Sequence, residues 1–233
     1  MTQIDKKFDI PVAFPPQVVK DTLGGTLSKN NKNQVRIAET QKYAHVTFFF
    51  NGLKDAPYPN EYRILIPSQT VSRLEEHPEM MADEITTRLT GAIEEGAFDF
   101  ILANYANADM VAHTGDLDAT VKAIQIVDRQ LARVLQTAFK HNATLLITSD
   151  HGNAERLFNP RTGKVETKHD ISPVPIYLVG PKYYRPVSED QVVEREKVTI
   201  GLLSDIAPTI LELMGIQKPA EMTGSSLLRQ LLR

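Results

Sequence analysis

The chain has 233 residues, enough for one sizeable core, and its 26 basic and 29 acidic side chains are interspersed to give a formal net charge of −3. That balance leaves no basic face for nucleic acid and no acidic tail, and the absence of cysteine excludes a disulfide framework and fits a reducing cytoplasm. No apolar run approaches the roughly 20 residues of a spanning helix, and nothing near the start has a charged end followed by a long apolar core, so the expectation is a soluble, cytoplasmic protein without a membrane partner.

In chain order, residues 1–8 are polar and charged, and Pro11-Val12-Ala13-Phe14-Pro15-Pro16 holds too much proline for helix or central strand. Residues 1–16 therefore read as a linker or as a frayed terminus. Residues 18–27 place Val18, Val19, Leu23 and Leu27 near helical spacing, against the cost of Gly24 and Gly25. Residues 35–38 predict a short strand. The β-branched and aromatic run 44–50 predicts another, buried on both faces, with His45 as a core histidine and Lys42 just before it. A lysine at a strand's edge is ordinarily a solvated charge.

Residues 51–67 mix turn residues with one apolar stretch, 63–66, and Pro57 and Pro59 mark a loop able to cover a site. His77-Pro78-Glu79 reads as a turn with an exposed histidine. Residues 82–95 repeat Ile85, Leu89 and Ile93 four apart and stop at Gly96, which predicts a helix leading into a strand within 98–103. Gly115-Asp116 opens a long helix with Leu117, Val121, Ile124, Leu131, Leu135 and Ala138 as its apolar stripe, ending near His141-Asn142. A strand at 144–147 follows. The alternation of strand and helix across residues 85–149 predicts right-handed crossovers and a sheet covered on both faces. Asn159-Pro160-Arg161-Thr162-Gly163 is a turn, residues 176–179 are a proline-bounded strand, and residues 181–197 read as a surface loop. Ser204 or Asp205 caps a helix running through residues 210–214, with Pro208 in its first turn, and residues 225–233 form a short final helix.

Three segments carry chemistry. Thr148-Ser149-Asp150-His151-Gly152-Asn153-Ala154-Glu155 sets an acid and an imidazole at the end of a strand, where open α/β sheets put their ligands. Alone, that pair reads equally as an N-cap aspartate beside a surface histidine. Asn107-Ala108-Asp109-Met110-Val111-Ala112-His113-Thr114-Gly115 leaves a second strand, and on a helical turn Asp109 and His113 share a face and can hold one cation. His169, in Thr167-Lys168-His169-Asp170, supplies a third ligand. Carboxylate and imidazole without thiolate suit manganese, zinc or iron.

With Lys42-Tyr43-Ala44-His45-Val46-Thr47-Phe48-Phe49-Phe50-Asn51-Gly52, Asp205-Ile206-Ala207-Pro208-Thr209 and Glu221-Met222-Thr223-Gly224, these segments resemble the cofactor-independent phosphoglycerate mutases, metal-dependent members of the alkaline phosphatase superfamily. The resemblance implies a three-layer α/β/α sandwich with a mostly parallel sheet, here incomplete. Residues 17–233 then correspond to the C-terminal part of the metal-binding phosphatase-like domain, and residues 1–16 to a hinge. It further implies two Mn²⁺ ions, with Asp109, His113 and His169 on one and Asp150 and His151 on the other; Zn²⁺ or another divalent ion is the alternative. Lys42 matches a lysine that holds the substrate phosphate. The implied activity is interconversion of 3-phosphoglycerate and 2-phosphoglycerate in glycolysis by a monomeric isomerase. The family's nucleophilic serine and substrate-gripping arginines have no counterpart in this sequence, so the chain resembles a truncated product or fragment, or one that a separate N-terminal polypeptide completes. The alternatives are a catalytically silent metal-binding fragment and a phosphate-ester hydrolase of the same superfamily.

Overall fold

In a computed structural model of the chain, which describes Pro11, Ala13, Phe14 and residues 19–233 apart from Pro160, residues 34–39 are buried without interruption. A strand reaches that state only with a neighbour on each edge and a layer on each face. Strand β1 (Gln34–Glu39) lies between β2 (Glu61–Ile66) and β3 (Phe100–Asn104), parallel to both, with Gln34 opposite Glu61 on one side and Phe100 on the other. Alternation sends Val35 and Ile37 to one face and Gln34 and Arg36 to the other.

The Arg36 face is covered by α1 (Leu23–Lys29), whose Leu23 and Leu27 join Leu211, Phe50 and Phe100 in one apolar cluster. Thr22 caps α1 by accepting from the Gly25 N–H at 3.2 Å. The glycines that weaken this helix on propensity are required by close approach: a Cβ on Gly24 would lie 2.7 Å from Asn51 Oδ1 and 2.9 Å from Arg36 Nη2. Arg36 is buried between the rings of Phe50 and Phe100, 4.5 and 5.2 Å from their centroids, and burial pushes its guanidinium down to about 10 against the opposing charge of Glu61.

Residues 44–50 correct a sequence expectation. Helix α2 (Thr40–Ala44) leaves the end of β1 and continues as a π-helical turn over His45–Phe49, so the run is helical and Lys42 sits inside a helix. Thr47 shows how a β-branched residue is accommodated there, its hydroxyl donating to the Tyr43 carbonyl at 2.7 Å. His45 is exposed, contrary to its reading as a core histidine.

On the Val35 face lies α3 (Ala82–Glu95). It buries Ile85, Leu89 and Ile93 as their spacing predicts and ends at Gly96 in the left-handed conformation. His77, ahead of it, keeps its side chain 44 % exposed. Helix α4 (Asn107–Ala112) follows β3, and α5 (Leu117–Lys140) is capped by Asp116 accepting from the Ala119 N–H at 2.9 Å. The buried face of α5 differs from the predicted stripe in its first half, while Leu131 and Leu135 are partly buried and Ala138 is buried as expected. Leu117, Val121 and Ile124 are 45–48 % exposed, while Ala119, Thr120, Ala123, Val134 and Ala138 are buried. Small residues face α4, with Ala119 and Ala123 packing on Ala106 and Val111, so the helices approach closely and the larger side chains stay outside.

Strand β4 (Leu145–Thr148) pairs with β5 (Ile176–Val179) as an antiparallel ribbon, and among the described residues neither strand joins the three-stranded sheet. The single continuous sheet expected from the alternation is thus two. Residues 181–197, expected as a loop, contain α6 (Glu189–Glu196), started by a capping box between Ser188 and Gln191. Helices α7 (Ile206–Leu213) and α8 (Leu228–Leu231) complete the chain. Asp205 precedes α7, but its carboxylate receives the N–H groups of Leu202 and Ser225, both at 2.8 Å, instead of capping that helix. Almost all of the proline-rich stretch 1–16 lies outside the described residues. The architecture is the expected three-layer α/β/α arrangement, with α1 and α7 on one face of the parallel sheet and α3 and α5 on the other. No described helix is long and apolar enough to cross a membrane.

Candidate metal centre

The carboxyl ends of β1, β3 and β4 deliver the polar groups. From β1 the chain turns directly into α2, which points Lys42 inward, 2 % exposed, with Nζ 2.7 Å from Asp109 Oδ2 and 3.7 Å from Asp150 Oδ2. From β3 it turns into α4, where the four-residue spacing brings His113 Nε2 to 3.2 Å from Asp109 Oδ1. The His113 Nδ1 lies 2.6 Å from the Thr167 carbonyl, an acceptor that fixes the proton on Nδ1 and turns the Nε2 lone pair toward Asp109 and His169.

From β4 the chain makes the turn of Asp150 to Glu155. The Asp170 N–H donates to the Gly152 carbonyl at 2.7 Å, and this bridge lays the His169 ring on the His151 ring, 3.6 Å apart and inclined by 19°. Glycine suits that position because a Cβ on residue 152 would meet the Glu155 carboxylate where it lies and come within 3.2 Å of the Asp170 carbonyl. Arg156 pairs with Asp170 at 2.9 Å and secures the second loop to the first.

All six residues singled out from the sequence meet here. His169 Nε2 is 3.3 Å from Asp109 Oδ1 and 3.2 Å from His113 Nε2, and His151 Nε2 is 4.0 Å from Asp109 Oδ1 and 3.6 Å from Asp150 Oδ2. Ligand atoms of Asp109, His151 and His169 all lie within 4.8 Å of one another, so His151 is in reach of Asp109 and His169 as well as of its sequence neighbour. Asp150 is at the rim, its side chain 44 % exposed.

The electrostatics favour a carboxylate anion at the centre. Burial pushes the Asp109 carboxyl up, but hydrogen bonds from Lys42 and Asn153 and the charge of Lys42 outweigh it and hold the group below its usual range. Burial, then the neighbouring His151, pushes the His169 imidazole down, toward the neutral form that ligates metals. The His151 Nε2 is buried without a hydrogen-bond partner among the described residues. A partnerless ring nitrogen facing two carboxylates, beside two more imidazoles, fits a divalent cation and no neutral protein group. Hydroxyls nearby in sequence are engaged elsewhere: Thr114 donates to the Val111 carbonyl at 2.7 Å and Ser149 to that of His151 at 2.8 Å.

Sequence reasoning missed Asn153 and the Thr167 carbonyl, which touch the ligand set from behind. Asn153 lies in the quoted motif, yet no spacing rule connects it to a helix more than forty residues earlier.

The profile of the metalloenzyme superfamily matches residues 12–218. The chain belongs to this superfamily. The chain is 46 % identical over 231 residues to a 2,3-bisphosphoglycerate-independent phosphoglycerate mutase of Pseudomonas entomophila, covering 98 % of this chain and 42 % of that protein. It is also 46 % identical over 229 residues to the enzyme of the same name from Francisella philomiragia, covering 98 % and 43 %. A crystal structure of Leishmania mexicana phosphoglycerate mutase at low cobalt concentration superposes with a TM-score of 0.73 at 29 % identity, over 85 % of this chain and 38 % of that one. The chain thus spans less than half the length of the relatives it matches.

Proposed function

We propose that residues 17–233 form the C-terminal part of the metal-binding domain of a cofactor-independent phosphoglycerate mutase, acting in the cytoplasm on 3-phosphoglycerate and 2-phosphoglycerate in glycolysis. The observation that carries this reading is the convergence of Asp109, His113, His151 and His169, with Lys42 buried between two carboxylates. The 46 % identity to named mutases over nearly the whole chain supports the choice of reaction.

Asp109, His113 and His169 are assigned to one divalent ion, Mn²⁺ in this reading, and Asp150 and His151 to a second. When bound, such ions neutralise phosphoryl oxygens and lower the proton affinity of an attacking hydroxyl. The protein's own contribution is orientation and charge. His113 is held in one tautomer by the Thr167 carbonyl, and Lys42 is a compact ammonium, a fixed positive charge at the floor of the site suited to a phosphoryl oxygen. The phosphoryl acceptor, a serine in the mutase family, and the arginines that position the glycerate are assigned to the length of the relatives that this chain does not span.

The test combines calorimetry and turnover. The purified 233-residue polypeptide should bind Mn²⁺, and His113→Ala and His169→Ala should each weaken binding by roughly 10-fold or more, since each removes a ligand. With Mn²⁺ in an enolase-coupled assay, the polypeptide alone should give no turnover of 3-phosphoglycerate, and addition of the remaining mutase polypeptide should restore it. Unchanged Mn²⁺ affinity in both variants overturns the ligand assignment; robust turnover by the chain alone overturns the division of labour.

A further inference from the structure

The geometry points to Asn153 as a positioning residue of the metal centre, one that sets the direction in which Asp109 presents its carboxylate. This inference rests on the reading of Asp109 as a metal ligand. Asn153 is 4 % exposed, and its Nδ2 donates to Asp109 Oδ1 at 2.7 Å and to the Asp109 carbonyl at 3.3 Å. Both partners are oxygen acceptors, so the face of the amide turned to Asp109 has to be its NH₂. Its Oδ1 is buried and meets no donor, which leaves Asp109 as the one side chain the amide engages among the described residues.

Two tethers then act on one carboxylate. Lys42 holds Oδ2 at 2.7 Å, but an ammonium with three rotatable donors attracts an oxygen without fixing the plane of the carboxyl group. The second tether, on Oδ1, fixes that plane. It leaves the remaining lone pair of Oδ1 directed at His113 Nε2 and His169 Nε2, 3.2 and 3.3 Å away. Outer partners of this kind orient a ligand before the ion arrives.

Asn153 is itself braced. Glu155 folds back so that its Oε2 accepts the Asn153 N–H at 3.0 Å, and the Arg156 N–H donates to the Asn153 carbonyl at 3.0 Å. The Glu155 carboxylate fills the space that a Cβ on residue 152 would need. Gly152, Asn153 and Glu155 therefore form one device: glycine makes room, the glutamate clamps the backbone, and the asparagine reaches across to α4.

Co²⁺ is the probe, because its visible absorption reports coordination geometry as well as occupancy. Asn153→Ala in the full chain should weaken Co²⁺ binding by roughly 10- to 100-fold and change the absorption bands, while the ion-free melting temperature stays within a few degrees of the parent. Glu155→Ala should move both readouts the same way, and Glu155→Gln, which keeps an acceptor oxygen, should restore them. If Asn153→Ala fails to fold, the Glu155 pair carries the test. Parent-like affinity and spectrum in Asn153→Ala, or in Glu155→Ala when that variant has to serve, overturn the assignment while the metal reading stands. A parent chain that binds no Co²⁺ overturns the metal reading and this assignment with it.

Discussion

Replacing Lys42 with methionine keeps an unbranched side chain, one atom shorter, and removes the cation between Asp109 and Asp150. At an effective dielectric of about 20, charges 2.7 Å apart attract by about 6 kcal/mol and charges 3.7 Å apart by about 4.5 kcal/mol. Solvent at the exposed Asp150 screens much of the second interaction, and the cost of burying the ammonium offsets part of the first. What remains is the penalty for an uncompensated carboxylate at Asp109, about 3–5 kcal/mol. In a chain of this size each kcal/mol lowers the melting temperature by about 2–4 °C, so ion-free Lys42→Met should melt about 6–20 °C below the parent. A divalent ion supplies the missing charge. Saturating Mn²⁺ should therefore raise the melting temperature of the variant more than that of the parent, and the gap should narrow with ion concentration as mass action requires. Scanning calorimetry across an Mn²⁺ series reads both effects. A variant that melts with the parent in the absence of ion, or an ion that shifts both proteins equally, refutes the view that Lys42 and the ion neutralise the same carboxylate.

The other expectations concern the scaffold. Glu39, at the end of β1, is fully buried, with Oε2 accepting from the Ser68 hydroxyl at 2.8 Å, and burial raises its pKa above the ordinary 4.5 against the hydrogen bonds it receives. Because the folded state favours the protonated form, Glu39 costs stability as pH rises from 4.5 through the raised value. Glu39→Gln should be more stable than the parent at neutral pH, with the advantage vanishing below 4.5; urea melts showing a pH-independent difference would exclude this. Ile85, packed without exposure against Val35 and Ile37, should cost about 2–5 kcal/mol on replacement by alanine. That loss should appear as a lower urea midpoint at unchanged slope, and a loss under about 1 kcal/mol would mean that the α3 and β1 contact is not a core contact.

The elements easiest to read in the sequence were those whose periodicity is set by one large buried face. Helix α3 shows it, with Ile85, Leu89 and Ile93 on one line and a glycine at its end. Residues 44–50 misled because β-branching and aromatic content describe a preference for half-buried extended chain, which the packing of α2 against β1 overrides. In α5 the helix was legible and its buried face was not: contact through alanines leaves large residues outside, and hydrophobicity alone gives the opposite answer. Helix α6 lacks an apolar stripe, so only the Ser188 and Gln191 capping pair announced it. At the site, the acids and imidazoles that converge were legible, because those residue types at strand ends narrow the chemistry. The groups behind them were not, since a backbone carbonyl such as that of Thr167 has no signature in sequence and an asparagine has too many.

The separation of the β4–β5 ribbon from the parallel sheet has a mechanical consequence. Asp109 and His113 hang from the end of β3, whereas Asp150, His151 and His169 belong to the loops of the ribbon. No strand-to-strand ladder among the described residues joins these two bodies, and across the ligand cluster they are bridged by side chains, among them the Asn153 amide, the Lys42 ammonium and the His113 ring on the Thr167 carbonyl. An ion drawing ligands from both sides is then a clasp as much as a reagent: it closes the molecule along the seam where the backbone leaves it open. Slow amide exchange in the ribbon would register the clasp being fastened, at a distance from any group that touches the ion.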